Sequence, residues 1–468
     1  MKKRIVRKIL SLSLIAVVLT GCGADSSVTE STEASGTKTS GTETTSEGIV
    51  SVNVITNVYG DGQKVAAVVV EYGENMDASS LDTSDYQIIS ENVTEVEEYT
   101  ITDIYTNSEI AMTDSQTEGN YVVIEVSTDY TLSGYGTSED SFGGGIGTSK
   151  DGESTSNVKG GRSFGNVSSE SNNLQIKLIQ TGDVSSKEGN IYAAGDTEYK
   201  NDISTNVNLL VDNFEQLVFT SADGTELMYN LYLPDDYDES VSYPIVLFMP
   251  DATGTSSDPY RTLTQGLRAV IWASEESQEE NPAIVLAPQY ESTNESADIT
   301  MELLEAIVAE YSVNSSRVYL TGQSAGTIRS IEMMIENPDY FAGAMLVAGQ
   351  AGNEYTDRLA ELANQNIWMI TSTGDAKAFP GMTAIMEAVE DEGTVVTEGA
   401  WSALDSEESR NEAAQEMKNA GTTFYFTVLS DVVPERISDS DATEHMNTWR
   451  VAYSISEIRN WLFEQVNE

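Results

Sequence analysis

The chain sets 24 Lys and Arg against 76 Asp and Glu over 468 residues, a formal net charge of −52, and it carries one cysteine and one histidine. At roughly 100–200 residues per domain the length fits two or three domains. Such an acidic surface repels nucleic acid and other polyanions, which excludes the function classes built on binding them. A lone cysteine excludes an internal disulfide. The absence of EF-hand spacing and of any His/Cys cluster predicts no metal and no cofactor.

The chain opens Met1-Lys2-Lys3-Arg4-Ile5-Val6-Arg7-Lys8, followed by an apolar run from Ile9 to Leu19 broken only by serines. This is a basic n-region and a short h-region, too short for an ordinary membrane span of about 20 residues. Leu19-Thr20-Gly21-Cys22 follows and resembles a bacterial lipobox, so residues 1–21 are expected to be a lipoprotein signal peptide and Cys22 its lipidation site. That predicts an extracytoplasmic protein anchored to the cell membrane through acyl chains on one residue. Residues 22–48 are Ser, Thr, Gly, Glu and Ala with hardly a large apolar side chain, a composition that cannot bury a core. They read as a disordered tether with a typical reach of roughly 28 Å.

Residues 49–213 read as an all-β domain. Ser51-Val52-Asn53-Val54-Ile55 alternates, and Val65 to Tyr72 is rich in β-branched residues behind the turn chemistry of Gly60-Asp61-Gly62. Tyr121 to Val126 and Leu174 to Ile179 are further strands, and short strands separated by turns predict a sandwich. The Gly, Ser, Thr and Asn of 132–173 predict a long flexible loop inside this domain.

From residue 214 to 468 apolar strands alternate with helical stretches. Strands are expected near 216–220, 227–233, 244–249, 283–288, 317–321, 343–348, 367–371 and 423–428. Asp258-Pro259 predicts a helix start, with Leu263, Leu267, Val270 and Ile271 on one face. Leu304, Ile307, Val308 and Tyr311 mark a second helix, and Ile328, Ile331 and Ile335 a third, stopped at Asn337-Pro338. Continuous apolar strands with helical crossovers predict a mostly parallel sheet covered on both faces. Eight strands, the first two joined by a hairpin turn at Asp223-Gly224, match the α/β-hydrolase plan.

Gly322-Gln323-Ser324-Ala325-Gly326 is a G-x-S-x-G. The pentapeptide alone is weak evidence, but an apolar strand precedes it and a helix follows. That context predicts a nucleophile elbow, with Ser324 Oγ presented at the carboxyl edge of the sheet. A serine hydroxyl needs a base to react near neutral pH. His445, the only histidine, follows the last predicted strand and precedes the final helical stretch, where this fold places its base. The acid that orients the imidazole should follow the strand Ile367-Trp368-Met369-Ile370-Thr371, which selects Asp375, with Asp405, Asp431 and Asp441 as alternatives. The backbone N–H of Ala325 and one from the loop Met249-Pro250-Asp251-Ala252-Thr253-Gly254, with Ala252 the choice, are expected to hold an oxyanion.

Several stretches together resemble bacterial secreted esterases that join an Ig-like N-terminal domain to a catalytic domain of the feruloyl-esterase or predicted-peptidase kind. They are Val58-Tyr59-Gly60-Asp61-Gly62-Gln63-Lys64, Tyr232-Leu233-Pro234-Asp235-Asp236-Tyr237, Thr321-Gly322-Gln323-Ser324, Gly374-Asp375-Ala376-Lys377-Ala378-Phe379-Pro380-Gly381-Met382 and His445-Met446-Asn447-Thr448-Trp449. The resemblance implies an Ig-like fold for 49–213 and hydrolysis of carboxylic esters, small or polysaccharide-linked, by Ser324, Asp375 and His445. Where such esterases carry His-Gly or His-Asp at the oxyanion loop, this chain has Pro250-Asp251. Where they often carry Met after the nucleophile it has Ala325, and the 132–173 insertion is unusual for them. The same triad would serve a peptidase or an acyltransferase. The Pro250-Asp251 departure and the lipoprotein architecture also leave open an inactive surface-displayed binding protein.

Overall fold

A computed structural model describes residues 48–93, 96–129, 174–291, 297–432 and 441–467, all within one compact unit. The expected signal peptide, Cys22, the tether up to residue 47 and the 132–173 loop lie outside the described residues. Among those described, no helix is long and apolar enough to cross a membrane.

The N-terminal part packs two main sheets, beside a two-stranded one of Val184–Ser185 with Ile191–Tyr192. In the larger, strands run in the order 207–208, 51–59, 62–71, 121–126, 101–107, and in the smaller 86–90, 176–180, 199–200. Period-2 alternation divides each strand between two faces. Val52, Val54, Val68, Val70 and Ile124 meet Ile88, Ile176 and Leu178 of the second sheet, while Ile55, Ala67, Val69 and Val123 fill the opposite face. The strands Ser51–Tyr59 and Gly62–Glu71 form a hairpin whose last pair is Tyr59 with Gly62, so Gly60 and Asp61 are its tip.

The C-terminal part is a nine-stranded sheet. Its strands are β1 Glu215–Thr220, β2 Glu226–Tyr232, β3 Tyr243–Met249, β4 Ile284–Gln289, β5 Val313–Gln323, β6 Gly343–Val347, β7 Ile367–Ser372, β8 Val396–Ser402 and β9 Phe424–Ser430. They lie in the order β1-β2-β4-β3-β5-β6-β7-β9-β8. Only β2 runs antiparallel to its neighbours, and every pairing from β4 to β8 is parallel. Parallel strands buried on both faces need apolar side chains in both directions. Ile245, Leu247 and Met249 of β3 therefore enter one core, and Val246 and Phe248 the other.

Two elements differ from the sequence reading. β8 was not among the eight expected strands. It pairs only with β9, and Val-Thr-Glu-Gly-Ala-Trp-Ser has neither an apolar run nor a clean alternation, so its pairing comes from tertiary packing. Gly399 at its centre admits the helix Glu407–Lys418, since a Cβ there would stand 2.3 Å from Met417 Sδ. The helix expected after Asp258-Pro259 is broken into Arg261–Thr264, a 3-10 turn at Val270–Ala273 and Glu275–Glu280. The break falls where Gly266 takes φ 148° and Arg268 φ 22°, neither of which a helix tolerates.

The other helices are those the periodicity predicts or lie beyond it. Ala297–Glu310 crosses from β4 to β5, and Ala325–Glu336 leaves β5 at the G-x-S-x-G. Ala378–Asp391 follows β7, and Asp441–Ala452 and Ser456–Glu464 close the chain.

Candidate active site

Ser324 stands between β5 and the helix Ala325–Glu336 with φ 52° and ψ −119°. A non-glycine residue reaches that conformation only when its surroundings force it. Both flanking glycines show what forces it. A Cβ on Gly326 would lie 2.0 Å from the Met249 carbonyl oxygen, and one on Gly322 would lie 2.8 Å from the Gly326 carbonyl carbon. Strand β3, strand β5 and the first helical turn are therefore in backbone contact, and the chain can turn between them only sharply. The turn leaves Ser324 Oγ free to meet another side chain.

That side chain is His445. Its Nε2 is 2.8 Å from Ser324 Oγ and its Nδ1 is 2.5 Å from Asp375 Oδ2. Asp375 follows β7, and its other oxygen, Oδ1, accepts the backbone N–H groups of Ala378 at 2.8 Å and Lys377 at 3.1 Å. Burial by itself would raise this carboxyl's pKa. The hydrogen bond and charge of His445, aided by those two N–H groups at a helix start, hold it below the ordinary carboxylate range instead. An ionised Asp375 can only accept, so Nδ1 carries the imidazole proton and Nε2 faces the Ser324 hydroxyl as an acceptor.

The three alternatives to Asp375 are engaged elsewhere or stand at an element boundary. The Asp405 carboxylate accepts the Ser402 N–H, and that of Asp431 accepts the hydroxyls of Ser402 and Ser430. Asp441 is the first residue of the helix that carries His445.

Ala325 and Ala252 are each the first residue of a helical turn, where the N–H has no intrahelical acceptor. The Ala252 turn is held by Asp251, which is 1% exposed. Its Oδ1 accepts Thr253 N–H at 2.7 Å, and its Oδ2 accepts Arg268 Nη1 and Gln323 Nε2, each at 2.8 Å. Pro250 costs the loop one N–H, and Asp251 organises the remainder as an N-cap tied to the residue before Ser324.

The sequence alone gives no site role to Arg268 or Gln323, and it marks Glu444 only as one of the acidic residues in the loop before His445. Arg268 lies 5.0 Å from the Trp449 ring in a cation–π contact, and Trp449 meets His445 edge to face at 5.1 Å. Glu444 Oε2 accepts Ser372 Oγ at 2.9 Å, and a Cβ on Gly374 would stand 2.4 Å from Glu444 Cδ. The residue before His445 thus grips the end of β7 and the loop that holds Asp375. The signal for it was adjacency to the single histidine. Among the described residues no group of three or more His, Cys, Asp or Glu side chains could hold a metal ion.

Residues 51–193 match the esterase Ig-like N-terminal domain, and residues 220–422 match the putative esterase family. No curated protein matches the chain. Among solved structures a thermostable esterase superposes with a TM-score of 0.65 at 21% identity, covering 89% of this chain and all of that one. A feruloyl esterase module from Clostridium thermocellum, solved with sinapinate, gives a TM-score of 0.37 at 16% identity over 52% of this chain and 87% of its own. A ferulic acid esterase from Anaeromyces mucronatus gives 0.34 at 14% over 52% and 91%. The protein is a hydrolase of α/β-hydrolase fold, in which a region matching the esterase Ig-like N-terminal domain precedes one matching the putative esterase family.

Proposed function

We propose that the chain is a serine carboxylesterase in which Ser324 is the nucleophile, His445 the general base and Asp375 the orienting acid. The observation that carries this reading is the relay itself, with Ser324 Oγ 2.8 Å and Asp375 Oδ2 2.5 Å from the two nitrogens of one imidazole. As Ser324 Oγ adds to the ester carbonyl carbon, His445 Nε2 takes its proton. The carbonyl oxygen becomes an oxyanion, held by the N–H groups of Ala325 and Ala252. Collapse expels the alcohol, which takes the proton from Nε2 and leaves the acyl group on Ser324. Water then gives a proton to Nε2 and attacks the acyl carbon, and Ser324 leaves as the hydroxyl. Asp375 stays ionised throughout and stabilises the imidazolium.

Labelling of the intact protein with a fluorophosphonate tests this. Wild type should label and Ser324→Ala should not, and an unlabelled wild type would leave an inactive binding protein as the better reading. Turnover of a peptide substrate at a rate matching p-nitrophenyl acetate would replace the esterase reading with a peptidase one. For the substrate, carboxylic esters on polysaccharide are the class the sequence resemblance suggests. A panel of p-nitrophenyl acetate, acetyl-xylan and methyl ferulate would rank the acyl and alcohol parts.

The same reading takes Cys22 as an acylated anchor that holds the enzyme outside the cytoplasm on the cell membrane. Incorporation of labelled palmitate in a bacterial host, lost in Cys22→Ser, is the expected result. Equal incorporation in both would remove the anchor.

A further inference from the structure

The stretch Val58 to Lys64 belongs to the Ig-like domain and plays no part in the relay, yet it ends on the catalytic one. Val58 is buried in the same apolar cluster as Trp449 and Tyr453. At the hairpin tip Asp61 is 2% exposed, with Oδ2 3.0 Å from Lys64 Nζ and 3.4 Å from Arg450 Nη2. Arg450 lies on the helix Asp441–Ala452, five residues beyond His445, and its Nη1 also donates to Asn447 Oδ1 at 3.2 Å. The tip backbone presses on the same helix, for a Cβ on Gly60 would stand 3.3 Å from Arg450 Cβ and 3.4 Å from its carbonyl oxygen.

The tip touches a second part of the site. A Cβ on Gly266 would lie 2.9 Å from the Gly60 carbonyl oxygen. Gly266 begins the left-handed break that swings Arg268 inward, where it bonds Asp251 beside the Ala252 turn and covers the Trp449 ring. Gly60 thus sits against both the helix that carries His445 and the turn that fixes the loop next to Ser324, with Asp61 beside it on the helix. A spacer domain has no need of a buried carboxylate at this point. Burying one beside two cations is costly unless their geometry is held, and removing it leaves Lys64 and Arg450 facing each other as like charges.

We propose that the hairpin tip of the Ig-like domain is a positioning element of the active site, in which Asp61 acts through Arg450 to set the placement of His445 against Ser324. This rests on the triad reading. The single histidine supplies a direct readout, because in full-length protein labelled with [15N]histidine the imidazole Nδ1–H signal comes from His445 alone. In Asp61→Asn and, independently, Arg450→Met, kcat on p-nitrophenyl acetate should fall at least tenfold with KM changed less than twofold. The Nδ1–H signal should shift or broaden, and the double variant should lose little beyond either single one, since both break the same contact. A folded Asp61→Asn or Arg450→Met protein with wild-type kcat and an unmoved Nδ1–H signal would overturn the proposal, even if its melting temperature fell. Arg450→Met, altering a side chain 28% exposed, keeps the test open should Asp61→Asn not fold. Wild type that fails to label with fluorophosphonate sinks the triad reading and this one with it. Normal labelling with unmoved variants sinks this one alone.

Discussion

His445 Nδ1 lies 2.5 Å from Asp375 Oδ2, and the second oxygen of that carboxylate is already occupied by the N–H groups of Lys377 and Ala378. The carboxylate is therefore fixed at both ends before the imidazole binds it. It cannot rotate away as the imidazole gains charge, which is the property an orienting acid needs. Asp375→Asn keeps the shape but can offer an amide N–H to Nδ1, which would leave the imidazole proton on Nε2. Steady-state kinetics should then show kcat reduced on the order of 10⁴-fold with KM little changed. A loss under tenfold would move the acid role to another carboxylate.

The glycines of the elbow make a stability prediction separate from chemistry. The Cβ of Gly326→Ala would sit 2.0 Å from a backbone oxygen of β3, an atom that cannot swing aside as a side chain would. Relieving that overlap must part the helix from the strand, and overpacking of this kind costs about 1–3 kcal/mol. Urea unfolding should show a loss of at least that size, together with loss of fluorophosphonate labelling. A Gly326→Ala protein of wild-type stability would mean the helix can shift freely against β3.

The Asp251–Arg268 pair gives a third. Burial would push the Asp251 carboxyl up, but the charge of Arg268 and the hydrogen bonds from Thr253 and Gln323 hold it below its ordinary value. A carboxyl with a lowered folded pKa contributes stability that is complete above its unfolded value, about 3.9, and is lost as pH falls through the folded one. Melting temperature should therefore drop as pH falls below about 4, and Asp251→Asn should flatten that limb. Asp251→Ala goes further by leaving Arg268 buried without its carboxylate, and should cost about 3–5 kcal/mol at neutral pH. An acid limb identical in Asp251→Asn and wild type would assign the loss to other carboxylates.

What the sequence made legible and what it hid divide along a physical line. The convergence of Ser324, Asp375 and His445 was readable because each follows a strand of the parallel sheet, and continuous apolar runs announce those strands. The elbow glycines were readable because only a residue without Cβ fits there. Arg268 was hidden. In sequence it sits among Leu263, Leu267, Val270 and Ile271 at helical spacing, and only Gly266 hinted that the helix breaks. The role of Asp251 was hidden for a related reason, since its partners lie 17 and 72 residues away and no local pattern encodes them. At Asp61 the turn chemistry was plain, but its meeting with Arg450 depends on how the Ig-like hairpin packs on the helix Asp441–Ala452, which no local pattern encodes.

The backbone of Ser324 yields the last prediction. At φ 52° and ψ −119° it occupies a region where only glycine is at ease, and holding another residue there costs about 1–3 kcal/mol. Replacing Ser324 removes the hydroxyl that meets His445 Nε2, so both Ser324→Gly and Ser324→Ala should be inert to fluorophosphonate. The two differ in strain, because Ala keeps the Cβ that the conformation resists and Gly does not. Against this, Gly loses about 0.5–1 kcal/mol more chain entropy on folding. The balance leaves Ser324→Gly the more stable by about 1 kcal/mol, a melting temperature higher by about 2–4 °C for a domain of this size. Calorimetry of the two inactive variants, identical in charge, measures that difference directly. A Ser324→Ala protein that melts at or above Ser324→Gly would mean the elbow is relaxed, and that its sharp turn is set by the neighbouring glycines without strain at Ser324.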